Sequence, residues 1–212
     1  MNLIDKMEKF QNLLTTYINF TDSNFIQAIQ YSTICFLGWI ILPHLQLKYK
    51  ILSRLTGGNQ SIACDFLAFF LIYTGFLRNQ AINQAIYNSP TLFFGFYEIP
   101  ILIISYFLML FGGVLVTMSF YRLGLRGMYF GDHFGFLFKE KITQFPYNYF
   151  PNAQYVGTTS LLIGFSLIYY SAAGIFISLL IYGQYKILWI VENRKLKVFY
   201  PSSPKDTKKS SE

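Results

Sequence analysis

IPILIISYFLMLFGGVLVTMSF, residues 99–120, contains no charged side chain. A helix needs roughly 20 apolar residues to cross the hydrocarbon of a bilayer, and this stretch supplies them. Three more apolar segments lie on either side of it. Residues 25–47 carry Pro43 and His44 near their end, and form either a span or a re-entrant segment. Residues 62–77 are short, so that helix extends toward Ala85 or tilts. Residues 161–191 are too long for one simple crossing, and Ser171-Ala172-Ala173-Gly174 in their middle marks a kink or a close helix contact.

The expected fold is therefore all-α: a polytopic membrane protein with about four hydrophobic helices, plus an amphipathic N-terminal helix. Residues 1–22 form that amphipathic segment, because Leu3, Ile4, Met7, Phe10, Leu13, Leu14 and Tyr17 alternate with polar residues. They lack the basic start, compact apolar run and small-residue cleavage site of a signal peptide. Residues 23–200 form the membrane-embedded domain. Residues 201–212 are a polar, basic tail whose composition cannot build a core.

Bulk composition agrees. Of 212 residues, 53% are hydrophobic, 20% aromatic and only 13% charged, against roughly 25% charged in soluble domains. The net charge of +7 has no basic groove-shaped domain to serve, so nucleic acid is excluded as a partner. The basic residues after the last apolar segment, Arg194, Lys195, Lys197, Lys205, Lys208 and Lys209, suit a cytosolic face and anionic lipid heads. With four simple spans, however, Lys48, Lys50, Arg54, Arg122, Arg126, Lys139 and Lys141 share the opposite side. Charge alone then leaves the topology open. Cys35 and Cys64 read as small buried hydrophobes, with neither a disulfide framework nor a zinc signature.

Acids at membrane depth are costly and usually functional. Between Asn24 and Lys205 they are Asp65, Glu98, Asp132, Glu140 and Glu192. Asp65 suits the first turn of a helix, and Glu98 a solvated cap. Asp132 and Glu140 fall in residues 131–157, a polar, turn-rich stretch studded with Phe and Tyr. Upstream of it and into it, Gly124, Gly127, Gly131 and Gly135 recur every three to four residues. On a helix that spacing lines one face, leaving a groove for close packing or for a ligand. Tyr129, Asp132, His133 and Phe134 flank it. Two prolines, in FPYN and FPNAQYVG, then make a turn.

The pieces LGLRGMYFGDHFGFL, KITQFPYN and NAQYVGTT resemble phosphatidylethanolamine N-methyltransferase, whose stretches read LGFxGTFxGDYFGIL, RVTxFPFN and NPMYWGST. Upstream, KILSRLTGG, IACDFL and FLRNQAINQAI occur in family order and spacing, so the resemblance covers roughly residues 20–200. It implies methyl transfer from S-adenosylmethionine to the amine of phosphatidylethanolamine or its methylated intermediates. It also implies a phospholipid and a membrane as partners, and the endoplasmic reticulum as location, with a mitochondrial membrane as the alternative. The family elements credited with the methyl donor are a Gly-x-Gly and a Glu-Glu pair. Here they correspond to Leu110-Phe111-Gly112, with Gly113 next, and to Glu192-Asn193. The cofactor-binding residues implied are Gly112, Gly113, Glu192 and Asn193. Asp132, His133 and Tyr155 are implied for the reacting centre, with His133 as a base, and Gly131, Gly135, Asn152 and Gly157 for the lipid. His133, Ala153 and Val156 depart from the family Tyr, Pro and Trp. Because both donor elements have changed, a second reading stands beside the enzyme: a structural subunit of a larger membrane complex that binds lipid without methylating it.

Overall fold

The computed structural model describes residues 15–92, 95–138 and 142–199. Most of the expected amphipathic helix (1–14), Glu140 and the 201–212 tail lie outside the described residues. Among them there are no strands, only a single bridge between Thr91 and Ser171. The helices are α1 (Ser23–Tyr49), the one-turn α2 (Ile51–Leu55), α3 (Gln60–Tyr87), α4 (Glu98–Met128), α5 (Ala153–Ile168) and α6 (Ala172–Phe199). Four of these are long and apolar enough to cross a membrane, and the first is one of them at 27 residues. The all-α, polytopic reading holds. The bilayer accounts for the apolar side chains along the outer face of α4, where Ile99, Ile103, Phe107 and Leu110 are exposed.

Local chemistry fixes the helix ends. Asp22 accepts from the Phe25 amide and starts α1. Asn59 accepts from the Ser61 and Ile62 amides and starts α3. Asp65 therefore sits in the second turn of α3 and is no cap; it has another partner, described below. The expected apolar run 161–191 is not one kinked helix. It is broken by Tyr169–Ser171, where Tyr170 adopts a left-handed backbone and the Ser171 hydroxyl takes the Gly174 amide to start α6. Hydropathy carries no trace of the break because both sides of it are apolar.

Two clusters mark the ends of the bundle. At one end Phe25 and Ala28 of α1 pack with Ile82, Ala85 and Ile86 of α3 and Ala173 and Ile177 of α6. At the other, Ala63, Cys64 and Leu67 of α3 pack with Phe130, Phe134, Tyr155 and Leu188. The chain thus runs from the Ser171 end to the Glu192 end in α1, back in α3, out in α4, back in α5 and out in α6. Helix α5 is the pass that the sequence hides. At 16 residues it spans about 24 Å, less than the roughly 30 Å of hydrocarbon. The turn before it makes up the difference by descending along α4: Arg122 donates to the Phe145 carbonyl, and the Phe150 ring meets Phe111. That accounts for the aromatic content of residues 142–152, since non-helical backbone at this depth survives only against protein.

The extra pass also resolves the charge ambiguity. Lys48, Lys50, Arg54, Arg122, Arg126 and Arg194 all fall at the Glu192 end, whereas the Ser171 end carries Asp22 and Glu98 and, among the described residues, no lysine or arginine. Four simple spans would put the basic loops opposite the end of the chain; with α5 as a further pass, Lys48, Lys50, Arg54, Arg122 and Arg126 lie at the same end as Arg194.

Helices α4 and α5 are antiparallel and meet backbone to backbone. A Cβ on Gly112 would stand 2.5 Å from the Gly157 carbonyl oxygen, and one on Gly157 would stand 2.9 Å from that of Gly112. Further along, Gly164 packs on Met109 and the Ser105 carbonyl. Small residues of this kind hold helices together in lipid, where burial of apolar surface drives nothing. Farther along α4, Gly124 takes φ 62 and ψ −179 inside the helix, a conformation open to glycine and closed to most other residues. The glycine stripe expected on one helical face does not exist. The helix kinks at Gly124 and ends at Met128, Gly131 opens a 3₁₀ turn (Gly131–Phe134), and Gly135 closes that turn.

Two outcomes follow. Under the positive-inside rule, a cysteine replacing Leu55 reacts with an impermeant maleimide from the cytosolic side, and one replacing Asn88 only from the other. The native Cys35 and Cys64 are buried and add little background. Labelling of both positions from one side would refute the five-pass order. Gly112→Ala should cost about 1–3 kcal/mol by overpacking the seam, read as a lower Tm in detergent. Gly113→Ala should leave Tm unchanged, because nothing lies within 4 Å of its Cβ position. Equal Tm values for the two would show that the seam is slack.

Candidate active site

The predicted residues gather at the Glu192 end. Tyr155 lies in the first turn of α5 and is buried at 6% exposure. Its hydroxyl lies 2.7 and 2.8 Å from the two carboxylate oxygens of Glu192 on α6 and donates to them. Its ring stacks on Tyr185 at 4.8 Å and 17°. A buried phenol offering its proton to a carboxylate makes a charge-assisted bond and holds that carboxylate in one place. Asn193 is half-buried beside it on the helix.

Two other hydroxyls face this region. Tyr147, on the descending turn, and Ser119, on α4, have buried hydroxyl oxygens, and neither makes a hydrogen bond of good geometry. Buried polar groups left without partners are uncommon and mark places where a polar group from outside belongs. A carboxylate beside stacked aromatic rings and orphaned hydroxyls fits a donor that carries a sulfonium cation, an amino group and ribose hydroxyls. Leu110, which stands where the family has glycine, is 70% exposed and points away from the bundle. It does not fill this space, while Phe111 rests against Phe107 and Phe150.

A second pair forms within the 3₁₀ turn. His133 Nδ1 lies 2.8 Å from Asp132 Oδ1, with the imidazole almost wholly buried and the carboxylate about one-fifth exposed. The His133 amide donates to the same oxygen. That contact orients the ring against Asp132. Phe130 meets the ring edge-on at 5.4 Å. The Asp132–His133 and Tyr155–Glu192 pairs are separate, joined by the cluster in which Phe130, Phe134 and Tyr155 pack together.

The remaining predicted residues divide by role in the fold. Gly112 and Gly157 form the α4–α5 seam, and Gly113 faces open space. Gly131 lies close over the Arg126 carbonyl, Gly135 is exposed, and the Asn152 carbonyl receives the Tyr155 and Val156 amides at the start of α5.

Sequence reasoning missed two groups. Arg126 grips Asp65 with two bonds of 2.8 Å, and also bonds Ser61 and covers Phe136 at 4.5 Å. This ion pair ties the end of α4 to α3 just before the 3₁₀ turn that carries Asp132. The second group is Arg78, an arginine 9% exposed inside a membrane span. Its signal, the one cation between Arg54 and Arg122 and set at the end of the apolar run 62–77, was plain in the sequence.

A sequence model of the phospholipid methyltransferase family matches residues 100–203. The phosphatidylethanolamine N-methyltransferase A of Dictyostelium discoideum is 30% identical over 209 residues, covering 99% of this chain and 97% of that protein. The phosphatidyl-N-methylethanolamine N-methyltransferase of Schizosaccharomyces pombe is 34% identical over 174 residues, 81% of this chain and 88% of its own. The human phosphatidylethanolamine N-methyltransferase is 28% identical over 183 residues, covering 84% and 89%. No solved structure gives a significant match. Similarity of this extent, running through the segments that build both side-chain pairs, places the chain in the phospholipid methyltransferase family.

Proposed function

We propose that this chain transfers methyl groups from S-adenosylmethionine to the amine of phosphatidylethanolamine, or of its partly methylated forms, at the membrane edge of the Glu192 end. The observation that carries the proposal is the Tyr155–Glu192 pair: the carboxylate that remains of the family's donor element is the one the fold holds fixed. The structural-subunit reading draws no support from the relatives, whose names are those of methyltransferases.

The donor supplies a methyl group on positively charged sulfur, and the amine lone pair forms the new N–C bond as the S–C bond breaks. The protein's part is placement, electrostatics and one proton. Glu192 and Asn193 hold the donor's cationic and amino groups, with Tyr155 fixing the carboxylate. Tyr147 and Ser119 offer their hydroxyls to its polar edge. Gly113 supplies an open stretch of helix surface, and the Gly112–Gly157 seam sets the distance between α4 and α5. At the 3₁₀ turn, His133 takes the proton that must leave the lipid ammonium, and Asp132 stabilises the imidazolium that results. Gly131, Gly135 and Asn152 shape the backbone where the headgroup enters. The basic residues at this end meet anionic lipid heads.

The test is methyl transfer in membranes of cells that lack their own phospholipid methyltransferases, with labelled S-adenosylmethionine. Label should appear in mono-, di- or trimethylated lipid and vanish with Glu192→Ala. Tyr155→Phe removes one charge-assisted hydrogen bond, worth about 1.5–3 kcal/mol, so apparent donor affinity should fall about ten- to a hundredfold. His133→Gln should lower kcat while leaving the donor KM in place, and its deficit should narrow as pH rises and the lipid amine loses its proton unaided. Absence of label from folded protein, together with absence of donor binding, would overturn the proposal.

A further inference from the structure

Arg78 lies on α3, nine residues before its end at Tyr87, within a membrane span, and is 9% exposed. A guanidinium stays charged in a protein. Burying that charge costs several kcal/mol unless it is paired, and intramembrane cations normally face a carboxylate or a site. Among the described residues no carboxylate meets Arg78. Nη1 donates to the Tyr185 hydroxyl at 2.9 Å, while Nε and Nη2 share the Asn79 side-chain oxygen at 3.3 and 3.1 Å. All three bonds go to neutral oxygens. The five N–H groups of a guanidinium leave donors over.

Other donors without acceptors surround it. The indole N–H of Trp39 and the hydroxyl of Ser32, both on α1, are buried with no partner. With Arg78, Gln184 and Tyr185 they line a small cavity between α1, α3 and α6, of about 10 Å³. That is room for one oxygen-sized atom. Phe36, Trp39 and Gln184 are only partly buried, so its outer wall reaches the lipid-facing surface between α1 and α6. The position is tied to the candidate active site, because the Tyr185 ring that receives Arg78 is stacked on Tyr155, which holds Glu192.

We infer that Arg78, Trp39 and Ser32 form a subsite for an anionic oxygen of one of the two reactants, one aromatic pair away from Glu192. The chemistry is that of an oxyanion carried by a zwitterion. A guanidinium and an indole N–H meet the negative end, and the Glu192 carboxylate meets the positive end. Both reactants of the proposed function have this form, the lipid through its phosphodiester and the donor through its carboxylate. The inference rests on that function for the identity of the ligands, though not for the existence of the site.

Binding rather than turnover gives the test. Full-length protein in nanodiscs of phosphatidylcholine would be titrated calorimetrically with dihexanoyl phosphatidylethanolamine and, separately, with S-adenosylhomocysteine, which keeps the carboxylate and cannot methylate. Arg78→Gln should raise Kd for one of these ligands tenfold or more and leave the other within twofold, and the ligand affected identifies the oxyanion. Trp39→Phe, which deletes only the indole N–H and keeps an aromatic ring, should raise Kd of the same ligand by a smaller factor. It serves as the second variant if Arg78→Gln does not fold. If the wild type binds both ligands and the folded variants bind them equally well, the cavity holds a water, Arg78 serves only to join α3 to α6, and the inference falls. If the wild type binds neither ligand, it is the proposed function that fails. Titration with inorganic phosphate then decides the subsite alone: binding that Arg78→Gln abolishes keeps it, and no binding overturns it.

Discussion

The contact on which the site depends is the one between two glycines. Gly112 and Gly157 bring the backbones of α4 and α5 closer than any side chain would allow. Helix α5 is too short to be held by length in the bilayer. What fixes its depth is this seam and its continuation at Gly164. Tyr155 lies two residues before Gly157, so the seam sets where its phenol stands and therefore where Glu192 is held. The other flank of α5 meets α6, whose start is fixed by the Ser171 cap. The candidate active site is thus placed by packing of bare backbone, and its chemistry rides on the adjacent residues.

How much of this was legible in the sequence depended on whether a feature is local. Residues 99–120 announce a crossing helix because charge is absent over a full span. The motif-bearing residues 131–157 announced their chemistry through residue types that have few other uses at a membrane edge. The α5–α6 break was hidden because it rests on one left-handed residue, Tyr170, and one serine cap, within a run that is apolar on both sides. Missing that break left the side of the basic loops open, because sidedness counts passes. The glycine stripe was misread for a related reason: a spacing of three to four implies a face only if the helix continues, and Gly124 stops it from doing so. Arg78 escaped because acids alone were weighed as costly in the membrane, although the same desolvation argument applies to a cation.

The departures from the family pattern can be weighed against this arrangement. Leu110 replaces a family glycine, yet its side chain is 70% exposed toward the lipid, so it neither crowds the α4–α5 seam nor enters the space before Glu192. The glycine that the seam requires is Gly112, and it is retained. Asn193 replaces a carboxylate but keeps a polar amide that can donate and accept, whereas the position to which Tyr155 commits its proton remains Glu192. Both changes therefore fall on positions the local architecture does not depend on, and both retained residues are ones it does. A chain drifting away from catalysis while keeping its fold has reason to preserve Gly112, because the helices would otherwise part. It has no packing reason to preserve a carboxylate inside an aromatic cluster, where a neutral side chain of the same shape would remove a desolvation cost. Retention of Glu192 in that setting is an argument for chemistry over architecture.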